Sequence, residues 1–293
     1  MKNRLSDRMI NSRRAFLRAR RRSVPIRILI PNVVTLLGLC VGLTSIRMAM
    51  EGRFDLALAA IGAAAALDGL DGRMARLLKA SSRFGAELDS LSDFVCFGVA
   101  PAVVLYLWGF SDVRSLGWIV VLVFAVATAL RLARFNVALD DPGRPMWENA
   151  YFIGVPAPAG AILLLLPLYV EGLGVPKSWI FSPVITVYAI LIAALMASRI
   201  RTFSGKLIGR RIEPEYIAPV IALAVVLVAT LVTYPYLCLT LGCLAYLTLI
   251  PLSARRYARM ARQHETIDAT AISHSAEPGE NARPRHQEHT PQP

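Results

Sequence analysis

No histidine occurs before His264. The four in the chain, His264, His274, His286 and His289, all fall in the polar stretch 264–293. Imidazole is therefore missing as a base, nucleophile or metal ligand from everything upstream. Cysteine is scarce too. Cys40, Cys96, Cys238 and Cys243 each lie in apolar sequence, with neither the spacing of a metal site nor that of a disulfide framework, and read as small buried hydrophobes. Charge is thin: 18% of the 293 residues are charged against 55% hydrophobic, and the mean hydropathy is +0.51. A soluble domain of this length would place polar faces between its apolar ones. Here several apolar stretches reach the roughly 18 residues that mark a spanning helix. The first begins near Ile28, lacks a small-residue cleavage site and is followed by more, so a cleaved secretory signal is not expected.

The chain reads as an all-α polytopic membrane protein. Eight spans are expected, at 28–50, 54–78, 84–110, 115–139, 153–173, 178–198, 213–233 and 235–253. Pro31, Pro101, Pro156, Pro158, Pro183 and Pro219 fall inside or near span ends, where membrane helices tolerate them. With the N-terminus in the cytoplasm, 28 of the 32 lysines and arginines lie on the cytoplasmic side, leaving Arg47, Arg53, Arg114 and Lys177 opposite. That bias supports an even number of spans, both termini cytoplasmic, and a place in the cytoplasmic (inner) membrane. It also accounts for the net charge of +12, which faces anionic headgroups of membrane lipids. Nucleic-acid binding would need a soluble basic domain, and none is visible. Residues 1–27 form a basic juxtamembrane segment and 28–253 the transmembrane domain. Residues 254–293 form a cytoplasmic tail expected to be disordered. No internal repeat is visible.

The stretch "LDGLDGRMARLLKASSRFGAELDSLSDFVCFG", Leu67 to Gly98, breaks the apolar pattern. Asp68, Asp71, Gly72, Ala75 and Arg76 share one helical face, and Gly85, Asp89 and Asp93 follow in steps of four on the next helix. A short connection makes the helices antiparallel neighbours, so the acidic faces can converge at the inner membrane boundary. An intramembrane carboxylate costs several kcal/mol unless compensated, about 3 kcal/mol at a helix centre on insertion scales. Either some of the four stay protonated or cations bind them. An all-oxygen cluster suits Mg2+ or Mn2+, and two such ions would balance four charges, as in two-metal phosphoryl-transfer sites. Gly72, Ala75 and Gly85 leave room for a ligand, or serve helix packing. Arg76, Lys79, Ser82 and Arg83 can meet phosphate, although a positive-inside loop explains Lys79 and Arg83 as well.

The pattern Asp68-x-x-Asp71-Gly72-x-x-Ala75-Arg76, eight residues, then Gly85-x-x-x-Asp89-x-x-x-Asp93 resembles the signature of the CDP-alcohol phosphotransferases at every fixed position. "LIPNVVTLLGLCVG", "SRFGAELDSLSDFVCFGVAPA", "LRLARFNV" at 130–137 and "YFIGVPAPAGA" at 151–161 look like the bacterial-type phosphatidylserine synthases within that family, over roughly residues 24–200. The resemblance implies a membrane enzyme with a six-helix core, here with about two further helices. Such enzymes move a phosphatidyl group from CDP-diacylglycerol to an alcohol and release CMP. It implies Asp68, Asp71, Asp89 and Asp93 as metal ligands and Asp93 also as the base. It implies a donor site of Pro31, Asn32, Val33, Val34, Asp68, Gly72, Ala75, Arg76, Ser82 and Gly85. By the same analogy the enzyme is a homodimer.

L-serine as acceptor would need its charged ends held. Arg131 and Arg134, with Asn136, lie at the inner end of the fourth span and suit its carboxylate; snorkelling at the interface is the plainer alternative. The basic loop 199–211 competes for the same role. Other acceptors, such as glycerol 3-phosphate or an inositol phosphate, stay open. So does a divalent-cation transporter, although a transporter would scatter its acids across midplane positions rather than gather them near one face. The missing histidine argues against a phosphohistidine route.

Overall fold

A computed structural model describes residues 26–139, 151–177, 181–198, 201–203 and 216–253. The basic segment 1–25, most of the loop 199–211 and the tail 254–293 lie outside the described residues. In chain order the helices are α1 (Ile26–Met50), α2 (Phe54–Leu77), α3 (Arg83–Asp93), α4 (Ala100–Gly109), α5 (Arg114–Leu139), α6 (Ala157–Leu164), α7 (Leu166–Gly172), α8 (Phe181–Ala197), α9 (Ile217–Thr233) and α10 (Pro235–Ser253).

Four of the described rods are long and apolar enough to cross a bilayer: Leu29–Met50, Arg83–Gly109, Arg114–Ala138 and Pro235–Ser253. Two shorter apolar helices lie at Ser182–Ala197 and Ile217–Thr233. This is a helical, multi-pass membrane protein. Helix α2, at 24 residues, has the length of a span but carries Asp55, Asp68, Asp71, Arg73 and Arg76. The exposed surface is greasy, as lipid contact requires: Leu36, Leu37, Val126, Val184 and Val187 all face outward, and α9 buries no residue at all. The interior is built on Phe97, Leu105, Phe124, Leu163, Leu164, Ile192 and Met196, drawn from the middle of the chain.

Helices α1 and α2 pack closely, joined by a turn in which Gly52 adopts φ +74°. The alanine-rich face of α2, with Ala57, Ile61 and Ala64 buried, permits that approach. The end of α2 is closed by Lys79 N–H to Arg76 O and Ala80 N–H to Ala75 O, a Schellman arrangement with Lys79 at φ +50° where glycine is usual. Ser82 then caps α3, accepting from Gly85 N–H at 3.0 Å.

The rod Arg83–Gly109 is not a plain α-helix. Between α3 and α4 lies a π-turn, Phe94–Val99, whose end is marked by Ala100 N–H bonding to Val95 O. Pro101 explains its position: the ring has no N–H to give and would clash with the carbonyl four residues back, so the helix widens just before it. Cys96 uses this turn to sit against α1, its thiol donating to Gly38 O at 3.5 Å.

One expectation is corrected. The segment expected as one helix at 153–173 is broken at Leu165 into α6 and α7. Pro167 cannot donate to Leu163 O; the Tyr188 hydroxyl does so instead, at 2.6 Å, and Cys243 Sγ donates to Ile162 O at 3.6 Å. The all-α architecture carries one small addition. Tyr151–Ile153 and Arg201–Phe203 pair antiparallel, with Phe152 opposite Thr202. Three-residue strands between helices have no periodicity by which a sequence could announce them.

Candidate active site

Helices α2 and α3 bring their acidic faces together as the spacing requires. One carboxylate oxygen from each of Asp68, Asp71 and Asp89 lies within 4.8 Å of the others. Asp93, one turn beyond Asp89 and just ahead of the π-turn, stands within hydrogen-bonding reach of Asp68. Asp71 is the most enclosed, 4% exposed. Among the described residues no lysine or arginine nitrogen pairs with these four carboxylates; the ion pairs are Arg47–Glu51 and Arg53–Glu51. An all-oxygen, net-negative donor set of this kind fits a hard divalent cation.

Two cavities meet at the cluster. An inner one of about 10 Å³, room for a single water-sized body, is walled by Asp68, Asp71, Asp93, Thr35, Ser92 and Cys96. The outer is a cleft of about 380 Å³ lined by Pro31, Asn32, Thr35, Asp71, Gly72, Ala75, Arg76, Ser82, Gly85 and Asp89, with Ala80, Ser81 and Ala86. Asp71 and Thr35 belong to both.

Most residues of the expected donor site therefore converge. Asp68 faces the inner cavity rather than the cleft. Val33 and Val34 do not line the cleft, and Val33 is 47% exposed on the lipid side. Successive helical residues turn by about 100°, so the face that carries Pro31 and Thr35 points Val33 away. The two glycines part company. A Cβ on Gly72 would meet nothing nearer than Arg76 Nη1 at 3.9 Å, so Gly72 opens onto the cleft. A Cβ on Gly85 would lie 2.9 Å from Asn32 Oδ1 and 3.1 Å from Ser82 Oγ, so Gly85, besides lining the cleft, lets α3 approach Asn32 of α1 closely.

Thr35 was not visible as a site residue in the sequence. Its hydroxyl donates to Asp71 Oδ2 at 2.6 Å and lies 3.1 Å from Pro31 O. The one available signal is its position a single turn after Pro31, on the same face of α1.

The three residues expected to hold an acceptor separate. Arg131 is buried, 8% exposed, within electrostatic range of Asp93, and its Nε has no hydrogen-bond partner. Arg134 is exposed and donates to Ala197 O at the end of α8. Asn136 Nδ2 donates to Ser90 Oγ at 3.0 Å, tying α5 to α3.

Two adjoining helices that pool carboxylates beside a cleft, in a bundle of membrane helices, make a setting suited to a membrane-embedded transferase. The chain belongs to the CDP-alcohol phosphatidyltransferase family, which it matches over residues 28–197. Residues 215–251 match a second family, described as CDP-alcohol phosphatidyltransferase 2. The chain is similar to the CDP-diacylglycerol–serine O-phosphatidyltransferase of Mycobacterium leprae, at 42% identity over 85% of this chain and 81% of that one. It is 40% identical to the protein of the same description from Mycobacterium tuberculosis, over 85% of both chains. A Helicobacter pylori protein so described is 35% identical over 59% of this chain and 71% of its own.

Proposed function

We propose that the protein transfers the phosphatidyl group of CDP-diacylglycerol to the hydroxyl of L-serine, giving phosphatidylserine and CMP. The observation that carries this is the meeting of the Asp68–Asp71–Asp89 cluster with a cleft that Asp71 and Asp89 themselves wall, in a chain of this family. Pro31, Asn32, Gly72, Ala75, Arg76, Ser82 and Gly85 form the donor site. Gly72 gives the nucleotide access to the backbone, and Arg76 meets the pyrophosphate with charge-assisted hydrogen bonds.

Asp68, Asp71, Asp89 and Asp93 would hold two divalent ions, Mg2+ or Mn2+, which would neutralise charge on the phosphate oxygens. Asp93 takes the proton of the serine hydroxyl. The serine oxygen then forms its bond to the phosphatidyl phosphorus as the bond to the CMP phosphate breaks, so CMP leaves as an anion and no covalent enzyme intermediate is needed. Arg131 receives the serine carboxylate, which sets the hydroxyl toward Asp93. Arg134 and Asn136, committed to Ala197 and Ser90, frame that pocket rather than enter it.

The finer architecture follows the same reading. A core of six spans is followed by α9 and α10, both termini are cytoplasmic, and the cleft opens at the inner leaflet, where CDP-diacylglycerol lies with other membrane lipids. Residues 1–27 and 254–293 flank the catalytic domain 28–253, and the enzyme works as a homodimer. Purified protein given CDP-diacylglycerol with L-serine, glycerol 3-phosphate or an inositol phosphate in turn tests the assignment. CMP is expected with serine; release driven by another alcohol and not by serine would replace the acceptor. Metal uptake into vesicles without any CMP would replace the enzyme with a transporter.

A further inference from the structure

Helix α3 and the π-turn that follows it meet α1 along one line. On α1 the meeting points are Thr35, Gly38 and Gly42, at steps of three and four, hence on one face. On the other rod they are Ser92 and Cys96. Ser92 donates to Thr35 O at 3.4 Å, and the Cys96 thiol donates to Gly38 O at 3.5 Å. At Gly42 there is no room for a side chain. A Cβ there would lie 2.5 Å from Cys96 Sγ, 3.2 Å from Cys96 Cβ and 3.3 Å from Cys96 Cα. The last of these is backbone, so turning the Cys96 side chain would not clear the space. Gly62 of α2 differs: a Cβ on it would meet nothing within 4 Å.

This seat adjoins the acidic cluster. Asp93 stands directly before the π-turn, and Cys96 lies inside that turn. Cys96 also walls the inner cavity together with Asp68, Asp71 and Asp93. A cavity of about 10 Å³ has little slack, and a close-packed interior transmits a displacement rather than absorbing it. Whatever sets Cys96 against α1 therefore sets how deep Asp93 stands beside Asp68 and Asp71. Neither Gly42 nor Cys96 lines the outer cleft.

We infer that Gly42 and Cys96 are positioning residues for Asp93. Their contact fixes the depth at which that carboxylate joins the cluster, and with it the affinity for a divalent cation. The inference rests on the reading that Asp93 is a metal ligand. The test is Mn2+ binding to the purified full-length protein in detergent, without substrates, followed by electron paramagnetic resonance. Gly42→Ala is compared with Gly42→Ala/Cys96→Ala, with Asp93→Asn and with Gly62→Ala, and thermal unfolding is recorded for each.

Gly42→Ala is expected to need about tenfold more Mn2+ for half-occupancy, the low end of what loss of a ligand's support costs. Adding Cys96→Ala removes the sulfur and widens the nearest approach from 2.5 Å to 3.2 Å, so the double variant should regain most of the affinity. Gly62→Ala should bind Mn2+ as the parent does. The KM for CDP-diacylglycerol should be unchanged throughout the Gly42 series. Cys96→Val crowds the same contact from the other side and should weaken Mn2+ binding likewise, which keeps the test open if Gly42→Ala fails to fold. A Gly42→Ala protein that melts lower yet binds Mn2+ as the parent does has lost packing alone, and that overturns the inference. So does a double variant that binds no better than Gly42→Ala, or a folded Cys96→Val with unchanged binding. If Asp93→Asn is weakened in those cases, the metal reading stands and only this inference falls. If Asp93→Asn binds Mn2+ as tightly as the parent, the underlying reading fails and this inference with it.

Discussion

The Thr35 hydroxyl donates to Asp71 Oδ2 at 2.6 Å, joining α1 to α2 at the carboxylate that both cavities share. The contact makes α1, which contributes no acid to the cluster, part of its support. Ser92 adds a second tie to the same turn, donating to Thr35 O at 3.4 Å.

Thr35→Val keeps the shape of the side chain and removes the donor, leaving Asp71 free to turn. Partners that orient metal ligands typically change metal affinity by about 10- to 100-fold when removed. The variant is expected to need that much more Mg2+ or Mn2+ for half-maximal CMP release and to recover most of its rate at saturation. Titration of activity against metal checks this; an unchanged midpoint would reduce Thr35 to packing.

Gly72 and Gly85 look alike in the sequence and predict opposite phenotypes. Gly72→Ala meets only open cleft, so the protein should fold and melt as the parent does while its KM for CDP-diacylglycerol rises. Gly85→Ala brings a methyl against Asn32 Oδ1 and the capping Ser82 Oγ, and displacing that cap costs about 1 kcal/mol. Thermal unfolding in detergent alongside donor KM separates the two, and the same response from both variants would contradict the assignment.

Lys79 holds a left-handed backbone, φ +50°, at the end of α2. That conformation costs a side-chain-bearing residue about 1–2 kcal/mol, partly offset by the greater entropy glycine loses on folding. Lys79→Gly should therefore stabilise the protein by about 0.5–1 kcal/mol with the catalytic rate retained. A large loss of rate with unchanged donor KM would give the Lys79 ammonium a part in the chemistry.

How far the site was readable from sequence depended on whether its parts lay on one helix. Asp68 with Asp71, and Asp89 with Asp93, declare themselves by steps of three and four, and the short link between α2 and α3 forces their faces together. Thr35 does not declare itself, because a threonine in an apolar span is ordinary until the rotation of α1 is known. Arg131, Arg134 and Asn136 share one short motif yet face different ways, and only the packing of α5 against α3 and α8 sorts them. The break at Leu165 depends on Pro167, hidden inside a run of leucines whose hydropathy is that of any span. The inward stripe of α10 carries too little polarity to separate core from lipid, since both are apolar.

On the proposed function these carboxylates, once loaded with divalent cations, act on a nucleotide-linked lipid. The most direct test is CMP release from CDP-diacylglycerol and L-serine by purified protein stripped of metal and then titrated with Mg2+ or Mn2+, run in parallel with Asp93→Asn. The stripped enzyme is expected to release no CMP and to recover fully on adding metal, and the variant to release none at any metal concentration. Undiminished release after exhaustive chelation, or a variant as active as the parent, would contradict it.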